Sequence, residues 1–403
     1  MSKRVRVLIT AASSVLVLYI VVGGLMGESK STSEQTYRDL GVYSEVLSRI
    51  KSDYVTEPDL TKVTGGAIRG LLEALDPYST YFTPAEYKDY LAHPDPGPAS
   101  VGLYVSKKFG FATVVSVLPG SPADKAGIKA NYLVDRVAGI SAREISVVQI
   151  DRMLAGQPNT QVDVTIVDED RGEPKKITLT REVLSNTPVV SKMFDATNGY
   201  IRVATFSPGT ADQVSQKVKE LTGQGAAKIV LDLRNCAGGH VDEAVKTASL
   251  FIQKGLIAYT YGQRSPRQDI NANPGGTVFN MPVAVLINRS TAGPAEIVAD
   301  AILCDKRGQV VGVPSFGEGV VQKDIPVGDG SGLLLSVAKY YGPNGRAIED
   351  NGVTPSVMAT EQAPGGDQTG APPQTPQFGE KGDNQLEKAI EVLKNPPAAA
   401  KAA

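Results

Sequence analysis

The sequence predicts a multidomain α+β protein with a helical N-terminal region, a β-rich module and an α/β core. Apolar residues follow helical spacing between residues 36 and 92. Short alternating strands separated by Gly and Pro turns occupy residues 99–184, and apolar strands alternate with amphipathic helices from 185 to 358. A chain of 403 residues, 41% of them hydrophobic, can bury the cores of two or three such domains.

The composition limits the classes of function. A net charge of −2 gives no reason to expect a nucleic acid partner. Two cysteines, Cys236 and Cys304, are too few for a disulfide framework, and two histidines leave little scope for a metal site. We therefore expect neither a cofactor nor a metal.

Residues 1–27 are predicted to be a membrane anchor or a signal segment. Lys3, Arg4 and Arg6 precede about twenty mostly apolar residues, which is long enough to cross a bilayer once. No small-x-small cleavage pattern closes this run, which favours an uncleaved anchor over a cleaved signal peptide. The expected location is the inner (cytoplasmic) membrane, with the body of the protein exported to the periplasm or the outside.

The helical region, residues 28–98, leads into the β-rich module, residues 99–184. In that module the run from Gly120 to Ile128 predicts a short helix capped by Ser121 and stopped by Gly127. This run resembles the signature of PDZ domains, which bind a peptide carboxylate on backbone N–H groups and add the peptide as an extra strand. The resemblance makes a candidate peptide-binding loop of Val101, Gly102, Leu103 and Tyr104. The alternative is a PDZ fold that only packs against the core.

The core, residues 185–358, centres on the segment from Val283 to Lys323. An alternating strand and a polar loop are followed by Gly293 and Pro294, which suit the N-cap and the first position of a helix. A second apolar strand, residues 228–233, runs into the glycine pair Gly238-Gly239. Strand-to-helix turns of this kind present free N–H groups, which bind anions or stabilise a reacting oxygen.

These segments resemble the carboxyl-terminal processing peptidases, also called tail-specific proteases. That family carries Ser-Ala-Ser-Ala-Ser-Glu-Ile with a nucleophilic middle serine, and Phe-Gly-Lys-Gly-x-x-Gln with a lysine base. Here Ala292 and Glu296-Ile297 match the first motif, and Phe316-Gly317, Gly319 and Gln322 match the second. The resemblance spans residues 36–358. It implies a core with a ClpP/crotonase-like fold, an oxyanion hole at Gly238 and Gly239, and a site role for Gln322.

The two catalytic positions depart from the family, because the serine falls on Gly293 and the lysine on Glu318. A Ser/Lys dyad needs an oxygen from one residue and a partly desolvated amine from the other. Glycine supplies no oxygen, so Glu318 has nothing at residue 293 to deprotonate. We therefore predict a protease scaffold that has lost its catalytic pair and captures peptides or protein C-termini, as a scaffold or as a regulator of an active relative.

Two further hypotheses remain open. A displaced nucleophile would make the chain an active endopeptidase that processes protein C-termini, of the serine type with Ser290 or Thr291 and Lys323, or using Cys236 with His240. The opposing interpretation places the first two residues in a solvated loop and Cys236 in the core as a small hydrophobe. The other hypothesis is a structural assembly protein with a blocked PDZ groove. Association into a homo-oligomer is an expectation that the resemblance adds.

The C-terminal part is predicted to be a linker and a helix. Residues 359–381 are rich in Pro, Gly and Gln, a composition typical of a disordered linker. Within residues 382–403, Leu386, Ala389, Ile390 and Leu393 follow the spacing of a short helix.

Overall fold

A computed structural model describes residues 37–108, 110–168, 172–184, 189–273, 276–361 and 378–394. The predicted membrane segment, residues 1–27, and residues 362–377 of the predicted linker lie outside these ranges. Across the described ranges, no helix combines the length and the apolar character needed to span a bilayer. The chain divides into two compact units, one ending at Ile68 and the other beginning at Arg69.

The N-terminal region is only partly helical. Helix α1 covers residues 37–53, α2 covers Leu60–Glu73 and α3 covers Pro84–Ala92. The prediction of helix across residues 36–92 is wrong at Thr80–Phe82, which form strand β1 and place Tyr81 opposite Leu333 in an antiparallel pair. A strand that is distant in the sequence therefore satisfies the backbone hydrogen-bonding groups of this segment. A segment of three residues is too short for its pattern to indicate such a pairing.

The β-rich module forms its own sheet and core. Its elements are β2 (Leu103–Lys108), β3 (Phe111–Val117), α4 (Pro122–Lys125), β4 (Leu133–Val137), β5 (Ile140–Ser141), α5 (Val147–Leu154), β6 (Gln161–Val167) and β7 (Lys175–Thr180). The strand order is β2-β3-β4-β6-β7, with β5 paired to β4. As predicted, Ser121 caps α4 by accepting a hydrogen bond from the N–H of Asp124. β2 lies at an edge of this sheet, which leaves its outer side for a further strand.

The core contains a six-stranded sheet between two layers of helices. Its elements are β8 (Val190–Met193), β9 (Asn198–Arg202), α6 (Thr210–Gly223), β10 (Lys228–Asp232), α7 (Val241–Ser249), β11 (Leu256–Gly262), β12 (Ser265–Asn271), β13 (Val283–Ile287), α8 (Pro294–Cys304), β14 (Gly308–Gly312), β15 (Val320–Pro326), β16 (Gly332–Tyr341), β17 (Val357–Met358) and α9 (Asn384–Lys394). The sheet order is β17-β14-β13-β10-β9-β8, parallel except for β8. Helices α6, α7 and α8 pack on one face, and the predicted C-terminal helix, α9, packs on the other.

A second sheet of the core joins strands from distant parts of the chain. Its order is β1-β16-β11-β12, and β15 also pairs with β16. In the parallel sheet, β10 and β13 are neighbours, so the loops that follow them meet at one edge. This edge holds the positions that the sequence singled out.

Candidate active site

The loops after β10 and β13 are joined by hydrogen bonds. The N–H of Ala292 donates to the carbonyl of Cys236 at 2.9 Å. Asn288 accepts from the N–H of Asn235 at 3.0 Å and donates its side-chain amide to Asn235 Oδ1 at 2.7 Å. The structure therefore brings the predicted oxyanion turn and the predicted nucleophile turn together, as the family motifs imply.

Gly293 forms the sharp turn between the loop after β13 and helix α8. It is the N-cap of α8, as predicted, with φ 61° and ψ −121°, a conformation that side chains rarely adopt. A nucleophile on a strand-to-helix elbow occupies a strained turn of this kind. A Cβ atom built on Gly293 would meet no other atom within 4 Å. The turn therefore has the shape and the space for a nucleophile but carries no side chain.

The carboxylate of Glu296, in the first turn of α8, links the two catalytic positions. Its Oε2 accepts from the N–H of Gly293 at 2.9 Å and from the N–H of Glu318 at 2.8 Å. Its Oε1 accepts from Gly317 N–H at 2.8 Å and from the Ser315 hydroxyl at 2.5 Å. The fully buried side chain of Glu296 thus fixes residue 293 beside residue 318. From the sequence, Glu296 was known only to match the family motif, and this link could not be predicted.

Glu318, at the position of the family's lysine, is hydrogen-bonded to the β-rich module. The Tyr104 hydroxyl donates to its Oε1 at 2.6 Å, while its Oε2 is buried without a hydrogen-bond partner among the described residues. Burial raises the pKa of Glu318 to about 7, although the hydrogen bond from Tyr104 opposes the rise. The side chain that should activate a nucleophile instead contacts the candidate peptide-binding loop.

The Gly238-Gly239 pair has a backbone conformation of the kind found in oxyanion holes, and the ring of Tyr104 lies close to it. Gly238 and Gly239 have φ of 72° and 100°. No acceptor for either N–H is found within the described part of the chain. A Cβ on Gly238 would lie 2.9 Å from the Tyr104 ring, and one on Gly239 would lie 2.5 Å from the carbonyl oxygen of Phe206. Glycine is therefore required at both positions by close neighbours, whatever the chemistry of the turn.

The candidate peptide-binding loop of the β-rich module is fixed by hydrogen bonds to its carbonyl groups. The carbonyls of Val101 and Gly102 accept hydrogen bonds from Ala123 and Leu118, at 3.0 and 2.9 Å. A trans peptide directs its N–H opposite to its C=O, so the N–H of Leu103 points away from these donors, while the N–H of Gly102 donates to the Ser100 hydroxyl at 3.3 Å. The Leu103 N–H thus has the orientation that a carboxylate-binding loop needs.

Gln322 lies on β15 and donates its side-chain amide to the carbonyl of Tyr78 at 2.8 Å. It therefore ties the second sheet to the segment before β1. Its role in a catalytic site stays a prediction.

The candidate displaced nucleophiles lie in restrained positions. The Thr291 hydroxyl is fully buried, donates to the carbonyl of Leu233 at 2.8 Å and accepts from the N–H of Asn288 at 3.0 Å. Ser290 is 5% exposed, and Lys323 is exposed on β15 without a hydrogen bond to either residue in the described structure. Burial also raises the pKa of the Cys236 thiol, whereas His240 is exposed. None of these residues forms a nucleophile–base pair.

Three buried carboxyl groups near the site should make stability depend on pH. Burial raises the pKa of Glu296 to about 8, and those of Glu318 and Glu349 to about 7, from an ordinary 4.5. The folded chain then binds more protons than the unfolded chain between about pH 4.5 and 8, so stability falls as pH rises through that window. We expect the thermal unfolding midpoint to decrease from about pH 5.5 to 8.5. Glu318→Gln, which keeps an acceptor for Tyr104 but cannot titrate, should flatten this decrease; an unchanged slope would contradict the burial of Glu318.

Comparisons with known proteins agree with this architecture. Residues 197–359 match the model of peptidase family S41, and residues 113–168 match a PDZ domain. The chain is 31% identical over 357 residues to the carboxy-terminal processing protease CtpA of Bacillus subtilis, covering 88% of this chain and 76% of that protein. It is 30% identical over 351 residues to the carboxy-terminal-processing protease of Bartonella bacilliformis, covering 84% and 80%. Among solved structures, the photosystem II D1 C-terminal processing protease is similar with a TM-score of 0.65 at 26% identity, covering 89% of this chain and 97% of that one.

The fold and the site define a peptidase scaffold that carries a PDZ domain. Together with the sequence identities, they show that the chain belongs to peptidase family S41, among the carboxyl-terminal processing proteases.

Proposed function

We propose that this chain is a catalytically degenerate member of its family that captures peptides or protein C-termini without cleaving them. The main support for this proposal is the identity of the residues at the two catalytic positions. Gly293 offers no nucleophile, and Glu318 is bonded to Tyr104 of the PDZ domain. The restrained positions of Thr291 and Cys236 support it further, because neither is placed to replace the missing hydroxyl.

Peptide binding does not depend on the lost dyad. A PDZ domain binds through backbone hydrogen bonds to an edge strand and through N–H groups that face the terminal carboxylate. The edge position of β2 and the orientation of the loop before it support such binding. A scaffold that keeps these features and lacks a nucleophile would hold a chain end without turning it over.

The proposed setting is outside the cytoplasm. We infer that residues 1–27 anchor the chain in the inner membrane, because a basic start precedes an apolar run of spanning length. The proposed partners are peptides or protein C-termini, with an active relative as the protein that this chain would regulate. Self-association into a homo-oligomer is part of the same proposal.

Gly102→Ala tests the PDZ loop as the binding site. Gly102 has φ 80°, and a Cβ there would lie 2.2 Å from Cβ of Ser121, whereas Gly110 has φ 77° with nothing within 4 Å. Both substitutions carry a similar backbone strain, so Gly110→Ala is the matched control. By fluorescence anisotropy with labelled peptides, we expect Gly102→Ala to weaken binding of a free-carboxyl peptide about tenfold or more, and Gly110→Ala to leave it nearly unchanged.

Two outcomes would contradict the proposal in different ways. Equal binding by the two variants, each confirmed folded by circular dichroism, would exclude this loop as the site. Failure of the unmodified chain to bind any peptide from a varied C-terminal library would exclude capture as its function.

A further inference from the structure

The PDZ domain contacts the core through a limited and partly polar interface. The Tyr104 hydroxyl donates to Glu318 Oε1 at 2.6 Å, and the Ser116 hydroxyl donates to the carbonyl of Asn235 at 2.6 Å. Beside these bonds lies a small apolar cluster, apart from the cores of both domains, formed by Val115, Tyr104, Ala237, Ala292 and Phe316. Interfaces of this kind permit relative motion of two domains. A change in one contact can therefore shift the balance between a docked and a released PDZ domain.

Glu318 places a carboxyl group with one unpaired oxygen at this interface. Its Oε2 is buried and has no hydrogen-bond partner among the described residues. The bond from Tyr104 stabilises an ionised carboxylate at Oε1 alone. Burial of a charged group without partners costs far more free energy than burial of its neutral form. The docked arrangement therefore favours the protonated form of Glu318.

The ionisable groups that face Glu318 from the surrounding elements are carboxyls and phenols. They are Tyr104 on β2, Asp151 on α5, Tyr78 before β1, Glu296 on α8 and Glu349 after β16. None of these groups is a cation, so none of them would compensate a negative charge on Glu318. Burial accordingly raises the pKa of Glu318 from 4.5 to about 7, although the hydrogen bond from Tyr104 opposes the rise.

We propose that the contact between Tyr104 and Glu318 is a pH-sensitive switch, which holds the PDZ domain on the core in mild acid and releases it as pH rises. In the released state water hydrates both oxygens of Glu318, so docking takes up a proton and release gives it back. Docking is therefore strongest below about pH 4.5 and weakens as pH rises through about 7. Release moves the Tyr104 ring away from Gly238 and uncovers the degenerate site. This inference does not depend on peptide capture.

Thiol labelling of a Val115→Cys variant measures release of the PDZ domain even when release is rare. Val115 is 3% exposed and packs against core residues in the interface cluster, so a cysteine there reacts when the PDZ domain leaves the core. The labelling rate, divided by the rate for the same cysteine in an unfolded peptide, gives the opening constant at each pH. Mass spectrometry locates the label, and a Cys304→Ser background removes the half-buried thiol. We expect the opening constant to rise about tenfold from about pH 5.5 to 8.5.

Two carboxyl variants show whether Glu318 is responsible. Glu318→Gln keeps an acceptor for Tyr104 but cannot titrate, so its opening constant should not change with pH. Glu349→Gln is the matched control, because burial raises the pKa of Glu349 to about 7 as well, but its Oε2 accepts from Gly319 and not from the PDZ domain. In this variant the rise with pH should persist. Ala248→Cys, buried in the core on α7, reports unfolding of the whole core and should react far more slowly than Val115→Cys.

Three results would overturn the switch. An opening constant that does not change with pH, or a change that Glu318→Gln retains, would show that Glu318 does not control docking. Equal labelling of Val115→Cys and Ala248→Cys would show that the core unfolds as a whole and that the PDZ domain is not released by itself. No peptide is present in this experiment, so each of these results leaves the proposal of peptide capture as it stands.

Discussion

The double variant Gly293→Ser, Glu318→Lys is expected to cleave peptides, whereas the unmodified chain and both single variants leave them intact. A serine nucleophile and its lysine base act as one unit, so restoring either alone should restore little. We expect the double variant to cleave an unfolded protein substrate on the order of 10²-fold faster or more than the unmodified chain.

Several features of the site favour this gain of activity. The N–H groups of Gly293 and Glu318 donate to the same oxygen of Glu296, so side chains at both positions start from adjacent backbone. The space around residue 293 accommodates a serine side chain, although its φ of 61° will cost on the order of 1–3 kcal/mol. Two N–H groups without described acceptors, at Gly238 and Gly239, remain to stabilise the reacting oxygen.

The assay needs a control for the PDZ contact. Lysine at position 318 removes the carboxylate that accepts from Tyr104, which by itself could change access to the site. Glu318→Gln in the Gly293→Ser background keeps that acceptor but supplies no base, and it should stay inactive. If the double variant folds and binds peptide yet does not cleave, the loss of function extends beyond the dyad.

Arg234→Met is expected to destabilise the core by about 3–5 kcal/mol. Arg234 is 1% exposed and bonds to Asp232 and Asp383, each through an Nη2–oxygen contact of 2.6 Å. It also donates to Gln385 and lies 4.0 Å from the centre of the Phe378 ring. Removing the guanidinium leaves two carboxylates buried without a counter-charge, so α9 and the residues that precede it should detach from the sheet.

An exposed pair provides the control for this prediction. Arg267 and Asp269 also meet at 2.6 Å, but both side chains are about half exposed. Arg267→Met should therefore cost less than about 1 kcal/mol. Urea unfolding gives both free energies, and hydrogen exchange reports the detachment of α9. Equal costs in the two variants would show that burial of Arg234 does not matter.

Local sequence patterns predicted the elements that carry the site. The strand at Val283–Ile287, the N-cap at Gly293 and the cap of α4 by Ser121 all depend on neighbouring residues, and the structure has them as expected. The match to the two family motifs also predicted that Gly293 takes the position of the serine and Glu318 that of the lysine, in two different loops. That the structure joins them through Glu296 follows from the fold rather than from the spacing.

Long-range contacts could not be predicted in this way. Tyr104 and Glu318 lie 214 positions apart, and Arg234 and Asp383 lie 149 apart, so no periodicity relates them. Tyr104 was expected in a peptide-binding loop, but the direction of its phenol depends on how the PDZ domain packs on the core. One indication of the buried ion pair was present in the sequence: Arg234 directly follows an apolar strand, and a charge buried there needs a partner.

The most direct test of degeneracy is mass spectrometry of a free-carboxyl peptide and an unfolded protein after prolonged incubation with the unmodified chain. We expect both substrates to remain intact under conditions in which the peptide is bound and the Gly293→Ser, Glu318→Lys variant cleaves it. Multiple turnovers by the unmodified chain, abolished by replacing Ser290, Thr291 or Cys236 with alanine, would show that the chain is an active peptidase and identify its displaced nucleophile.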